Sequence, residues 1–143
     1  MALKIRKYPD KALRKKSKPV EKITGREIKL FEDMLFAMRH SEGIGLAAPQ
    51  VGVHKRIIVI EIDEKAIRLA NPEVIKAKGK NKMTEGCLSV PDVAVDIERP
   101  SEIVVRGLNE KGERVEFEAK ELLAKAVQHE IDHLNGILIV DYM

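Results

Sequence analysis

Apolar and polar positions alternate along the chain in patterns that divide it into a few elements. Thr24 to Glu27 has the form of a capping box, and Ile28, Phe31, Leu35 and Met38 then recur at helical spacing. A helix with one buried face is predicted there, ending between His40 and Gly43. The next stretch, GIGLAAPQVG (43–52), is small, apolar and broken by glycine and proline, and reads as a loop. RIIVIEI (56–62) is a β-branched apolar run, the pattern of a buried strand. AIRLANPEVIKAK (66–78) reads as a strand interrupted at Asn71 and Pro72, and GKNKMTEG (79–86) as a polar loop. Ile103–Arg106 and Arg114–Glu118 predict a hairpin that turns at Asn109–Gly112. A last helix is predicted from about Lys120 to Leu134, with Gly136 where a C-terminal cap belongs. ILIVDY (137–142) closes the chain as a short strand or extended tail. On the last helix, Leu123, Val127, Ile131 and Leu134 share one face, while Leu122 and Ala126 share the side of His129 and His133. Apolar residues on several sides make it a central, buried helix. Helices and strands that do not alternate regularly give an α+β class.

Composition adds bounds. The chain has 143 residues, which suits one domain over 1–143. Hydrophobic residues make up 44%, enough for a core, and charged residues 34%, a heavily solvated surface. The net charge is +3, with the basic excess gathered in KIRKYPDKALRKKSKP (4–19). That run reads as a solvated arm. It lacks the interleaved aromatics of a single-strand binding platform, so direct nucleic-acid readout is not expected. The one cysteine, Cys87, excludes a disulfide within the chain and points to a reducing, cytoplasmic compartment. No apolar secretory h-region and no membrane-spanning run is seen.

QHEIDHLNG (128–136) carries the chemistry. Histidines four apart on a helix differ by about 40° in direction, so His129 and His133 can present nitrogens to one ion. Glu130 is offset by about 100°, beside the ion rather than on it, within reach of a water. A hydrolytic centre of this kind takes three protein ligands and one open position. Only ten residues follow His133, and they hold no histidine, glutamate or cysteine, with Asp141 the one acid, so the usual metalloprotease layout is not expected. His40 and His54 sit in no recognisable ligand context. The remaining strong ligand is Cys87 in TEGCLSVP, where Gly86, Ser89 and Pro91 mark irregular backbone.

GIGLAAPQVG, EGCLS and QHEIDH, in that order, closely resemble the three signature motifs of the peptide deformylases, and the resemblance covers nearly the whole chain. It implies antiparallel and mixed β-sheets packed around the central HExxH helix, with a helix near the N-terminus. It implies a hydrolase that removes the formyl group from the N-terminal formyl-methionine of new proteins and releases formate. By resemblance, Cys87, His129 and His133 hold one divalent cation, Fe2+ in most members, with Zn2+, Ni2+ or Co2+ also accepted. Glu130 is the general base and acid. Gln50 and the Leu88 N–H are the oxyanion donors, the Gly45 backbone meets the substrate, and Ile44 and Val127, with His129, line the methionine pocket. Glu85 and Arg99 match a family ion pair. The expected partners are N-formyl-methionyl nascent peptides, with transient ribosome contact and no membrane. Many members carry a bulky Arg or Tyr seven residues after the cysteine, where this chain has Ala94, so a more open rim is expected. Many bacterial members also continue into a C-terminal helix, whereas this chain stops at Met143. Two rival readings remain open at this stage: a peptidase or other amidase, and a metal-stabilised binding protein without turnover.

Overall fold

A computed structural model describes residues 3–143. Helix α1 spans Gly25–His40 and helix α2 spans Glu121–Leu134. Among the described residues, seven strands lie between and beside them: β1 Gly45–Ala47, β2 Ile57–Ile62, β3 Lys65–Lys78, β4 Asn81–Cys87, β5 Val90–Arg99, β6 Glu102–Leu108 and β7 Arg114–Lys120. Strands β1, β2, β3, β6 and β7 form one sheet in that spatial order, and β4 pairs with β5 in a second. All the named pairings are antiparallel.

β2 explains how the layers stack. Ile57, Ile58, Val59 and Ile60 are all fully buried. Side chains alternate across a strand, so such a run needs cover on both faces. Ile57 and Val59 meet Phe31, Met34, Leu35 and Met38 of α1. Ile58 and Ile60 meet Ala124, Val127 and Leu134 of α2. The sheet is therefore held between the two helices, and α2 is central. A third cluster joins Val90, Val95 and Ile97 of β5 to Ile139 near the C-terminus.

The capping box is present: Arg26 N–H donates to the Thr24 hydroxyl at 3.3 Å, and Thr24 N–H donates to Glu27 at 2.9 Å. The second Glu27 oxygen accepts from Lys55 at 2.8 Å. Lys55 first, then Thr24, holds the Glu27 carboxyl down at about 2, against 4.5 when free. A lowered pKa gives stability above about pH 4.5 that is lost as pH falls toward 2. Glu27→Gln is expected to cost about 1 kcal/mol at neutral pH. In urea melts across this acid range, the gap to wild type should close. A constant gap would contradict the ion-pair account.

Four expectations are corrected. Ile28 is exposed, and Met34 takes its place on the buried face. Residues 43–52 are not a loop throughout: β1 pairs with β2, and Ala48–Val51 forms a 3-10 turn. The polar stretch 79–86 is not a loop either, since Asn81–Cys87 is strand β4, with Glu85 buried among more exposed neighbours. The tail is neither strand nor extended: Ile139–Tyr142 is a 3-10 turn. The interruption at Asn71 is a bulge within β3, where Asn71 adopts φ 51° and its side chain bonds both backbone groups of Val20 at 2.7 Å. α2 ends as expected, with Gly136 at φ 75° and the Gly136 and Ile137 N–H groups donating back to His133 and Asp132.

Candidate metal centre

α2 and the end of β4 meet at the site. His133 Nε2 lies 3.2 Å from His129 Nε2 and 3.3 Å from Cys87 Sγ. The three donor atoms all lie within 4.8 Å of one another. Both histidines are buried, and Cys87 is half-buried. A thiolate and two imidazoles converging in this way suit a tetrahedral transition-metal site with one position left for water.

Each ligand has a reason to point inward. The Nδ1 of His129 faces Glu85 at 2.9 Å, so its Nε2 is directed to the centre. Glu85 in turn accepts two bonds from Arg99, at 2.7 and 3.0 Å. Arg99 also reaches Asp132 at 3.0 Å, and Tyr142 donates to the same Asp132 oxygen at 2.6 Å. The expected Glu85–Arg99 pair is thus present, and it is nearly fully buried. The link from Glu85 to His129, and the extension through Asp132 to Tyr142, were not legible in the sequence. An acid two residues from the cysteine was the only signal for the first.

Electrostatics follow from the burial. Burial opposes charge on His129, but Glu130, Cys87 and Glu85 outweigh it and hold its pKa up at about 10 in the metal-free protein. Burial, followed by the charge on His129, pushes His133 well down. A cation binding here must therefore displace a proton from His129. Burial pushes Glu130 up to about 7, which suits a group that takes and returns a proton near neutrality. Its Oε1 is buried with no hydrogen-bond partner among the described residues, as is Nδ1 of His133.

A cleft of about 370 Å³ opens onto these groups, lined by Ile44, Gly45, Gln50, Cys87, Leu88 and Glu130 among others. Gln50 is buried; its side-chain Oε1 accepts from Ala47 N–H at 2.9 Å, and its side-chain amide donates to Ser89 Oγ at 3.1 Å and toward Cys87 Sγ at 3.7 Å. Ile44 is exposed at the mouth. Val127 is different: it is fully buried in the sheet-side core and does not line the cleft, where Ala126 and Lys125 stand instead. A residue two before His129 on a helix faces nearly away from it, which is why the expected wall position fails. Ala94 is exposed.

Gly45 is required by close approach. A Cβ there would sit 2.5 Å from a Glu130 carboxylate oxygen and 3.2 Å from its Cγ. Gly45→Ala is expected to push the carboxylate aside and lower kcat on the order of 10- to 100-fold, with metal content unchanged. Wild-type kcat in that variant would show that the carboxylate has room to move.

The family model described as polypeptide deformylase matches residues 2–143. The chain belongs to the polypeptide deformylase family. It is 55% identical over 142 residues to the peptide deformylase of Caldicellulosiruptor bescii, covering 99% of this chain and 86% of that protein. It is 50% identical over 137 residues to peptide deformylase 1 of Clostridium acetobutylicum, covering 96% and 91%. Among solved structures, the Thermotoga maritima peptide deformylase superposes with a TM-score of 0.96 at 42% identity, covering 99% and 97% of the two chains. The Ehrlichia chaffeensis peptide deformylase in complex with actinonin gives 0.97 at 40% identity, covering 99% and 88%. The α+β fold with a central HExxH helix is that of the family. The chain is a metal-dependent hydrolase that removes the formyl group from N-terminal formyl-methionine of new proteins. The peptidase and binding-protein readings fall away. No helix among the described residues is long and apolar enough to cross a membrane.

Proposed function

We propose that Cys87, His129 and His133 hold one divalent cation, Fe2+ in the cell, and that Glu130 moves the proton during deformylation. The observation that carries this reading is the convergence of three donor atoms beside a buried carboxylate with an unpartnered oxygen. A cation bound there supplies Lewis acidity, polarising the formyl carbonyl and acidifying a water.

The chain's own groups do the rest. Glu130 takes the proton from the attacking water and later gives it to the leaving amine, which becomes the new amino terminus. The C–N bond of the formamide breaks, and the formyl group leaves as formate. The Gln50 amide and the Leu88 N–H receive the charge that grows on the former carbonyl oxygen. β1 is the outer strand of its sheet, so the Gly45 backbone can pair with an extended peptide. Such pairing reads main chain and tolerates many sequences after methionine. Ile44 gives the mouth an apolar edge. Substrates arrive on nascent chains, so transient ribosome contact and a cytoplasmic site of action belong to the same proposal.

A thiolate with two imidazoles also accepts Zn2+, Ni2+ and Co2+. The iron assignment rests on family resemblance and carries a testable liability, since thiolate and Fe2+ are both open to oxidation. Protein prepared without oxygen and loaded separately with Fe2+, Ni2+ and Zn2+ should release formate from a formyl-methionyl peptide fastest with Fe2+ or Ni2+. The Fe2+ form alone should decay in air. Zn2+ as the most active form, or an air-stable Fe2+ form, would overturn the iron reading.

A further inference from the structure

We propose that Lys7 is a positioning residue for the two oxyanion donors, a proposal that rests on the reading of Gln50 and Leu88 given above. The N-terminal segment crosses the back of both loops that carry those donors. Leu3 and Ile5 pack against the α1-side core and fix its path. Arg6 N–H then donates to the Gln50 carbonyl at 2.6 Å, and Tyr8 N–H donates to the Ser89 carbonyl at 2.7 Å. Between them, the Lys7 ammonium donates to the Leu88 carbonyl at 2.9 Å. Three consecutive residues thus tie the Ala48–Val51 turn to the turn that joins β4 and β5.

The geometry gives Lys7 a task that backbone cannot perform. In an extended segment the N–H groups of Arg6 and Tyr8 point to one side, and that of Lys7 to the other. The Leu88 carbonyl is therefore reached by a side chain. Holding the carbonyls of Leu88 and Ser89 restrains rotation of the peptide planes on both sides of Ser89, and so the direction of the adjoining Leu88 N–H. Gln50 is restrained from the other side: its carbonyl is held by Arg6, and its side-chain amide reaches Ser89 Oγ at 3.1 Å. A donor aimed at a developing charge contributes most when it is already in place, and small misalignments weaken it steeply.

Lys7 is exposed, so its charge acts through this hydrogen bond and not as a long-range field, which solvent and salt would screen. An exposed side chain that touches neither core nor metal ligand also contributes little to folding. A lysine in a basic run reads from sequence as solvated surface, and only the tertiary structure brings it to Leu88.

The test compares Lys7→Met, Lys7→Arg and Gln50→Leu in the full chain loaded with Ni2+, using formate release from a formyl-methionyl peptide. Lys7→Met should lower kcat about three- to tenfold, as expected for a misaligned oxyanion donor. KM, bound metal and thermal midpoint should stay at wild-type values. Lys7→Arg should recover most of kcat, and the loss in Lys7→Met should be the same at low and high salt. A normal kcat in Lys7→Met alongside a large loss in Gln50→Leu would overturn the proposal while leaving the donor reading intact. A normal kcat in Gln50→Leu would overturn the donor reading itself. Loss of metal or of thermal stability in Lys7→Met, without rescue by arginine, would make Lys7 a structural residue and also overturn the proposal.

Discussion

Glu130→Ala is expected to lower kcat for formate release about 10³- to 10⁴-fold while the protein keeps its metal. Glu130 is offset from the ligand atoms along α2 and is not among the three converging donors. Only 4% of the residue is exposed, and its side chain borders the cleft beside the converging donors. The near-isosteric Glu130→Gln should lose activity to the same degree, which separates loss of the proton carrier from loss of volume. It should also reveal the cost of the buried acid. Burial raises the Glu130 pKa from 4.5 to about 7 in the metal-free protein. A raised carboxyl pKa means the ionised form is disfavoured in the fold, so stability falls as pH climbs from about 4.5 to 7. Metal-free Glu130→Gln should therefore match wild type in denaturant melts below about pH 4.5 and exceed it above about pH 7. Equal stability at both ends would contradict the burial argument.

The second large effect falls on Glu85. Burial works against ionisation of this carboxyl, but His129 and Arg99 outweigh it and hold its pKa below the ordinary value. Its two oxygens serve both partners, and 1% of the residue is exposed. Glu85→Ala strands the Arg99 guanidinium, which keeps Asp132 as its one ion-pair partner among the described residues. Breaking a buried pair from one side costs about 3–5 kcal/mol. The same change frees the His129 ring, which should weaken metal binding about 10- to 100-fold. Urea unfolding and a competitive chelator titration read the two losses separately. Glu85→Gln keeps an acceptor for His129 and should spare metal affinity more than stability. Wild-type affinity in Glu85→Ala would show that α2 alone orients the ring.

What the chain reveals before folding, and what it hides, divides along physical lines. The metal helix is legible because helical geometry fixes the relation of His129, Glu130 and His133 within about one turn. Cys87 follows by elimination and resemblance, because few other residues can complete the ligand set. β2 is legible because the β-branched run from Ile57 to Ile60 has few other solutions. β4 is not: NKMTEGC is mostly polar and carries no apolar period, and its burial is set by pairing with β5 and by Arg99 arriving from 14 positions away. Val127 shows the limit of analogy along a helix, where a shift of one residue turns a side chain by about 100° and moves it from cleft to core. Tyr142 and Lys7 show another limit. Both act through contacts that join distant parts of the chain, and nothing local marks them.

The most direct test of the account is a metal titration read by formate release. Wild-type protein stripped by chelator should be inactive, and activity should return linearly until one equivalent of Ni2+ is bound. Cys87→Ala should bind metal far more weakly and show no such return. Activity in the stripped protein, or a Cys87→Ala variant that takes one equivalent and turns over like wild type, would contradict the metal centre on which the account depends.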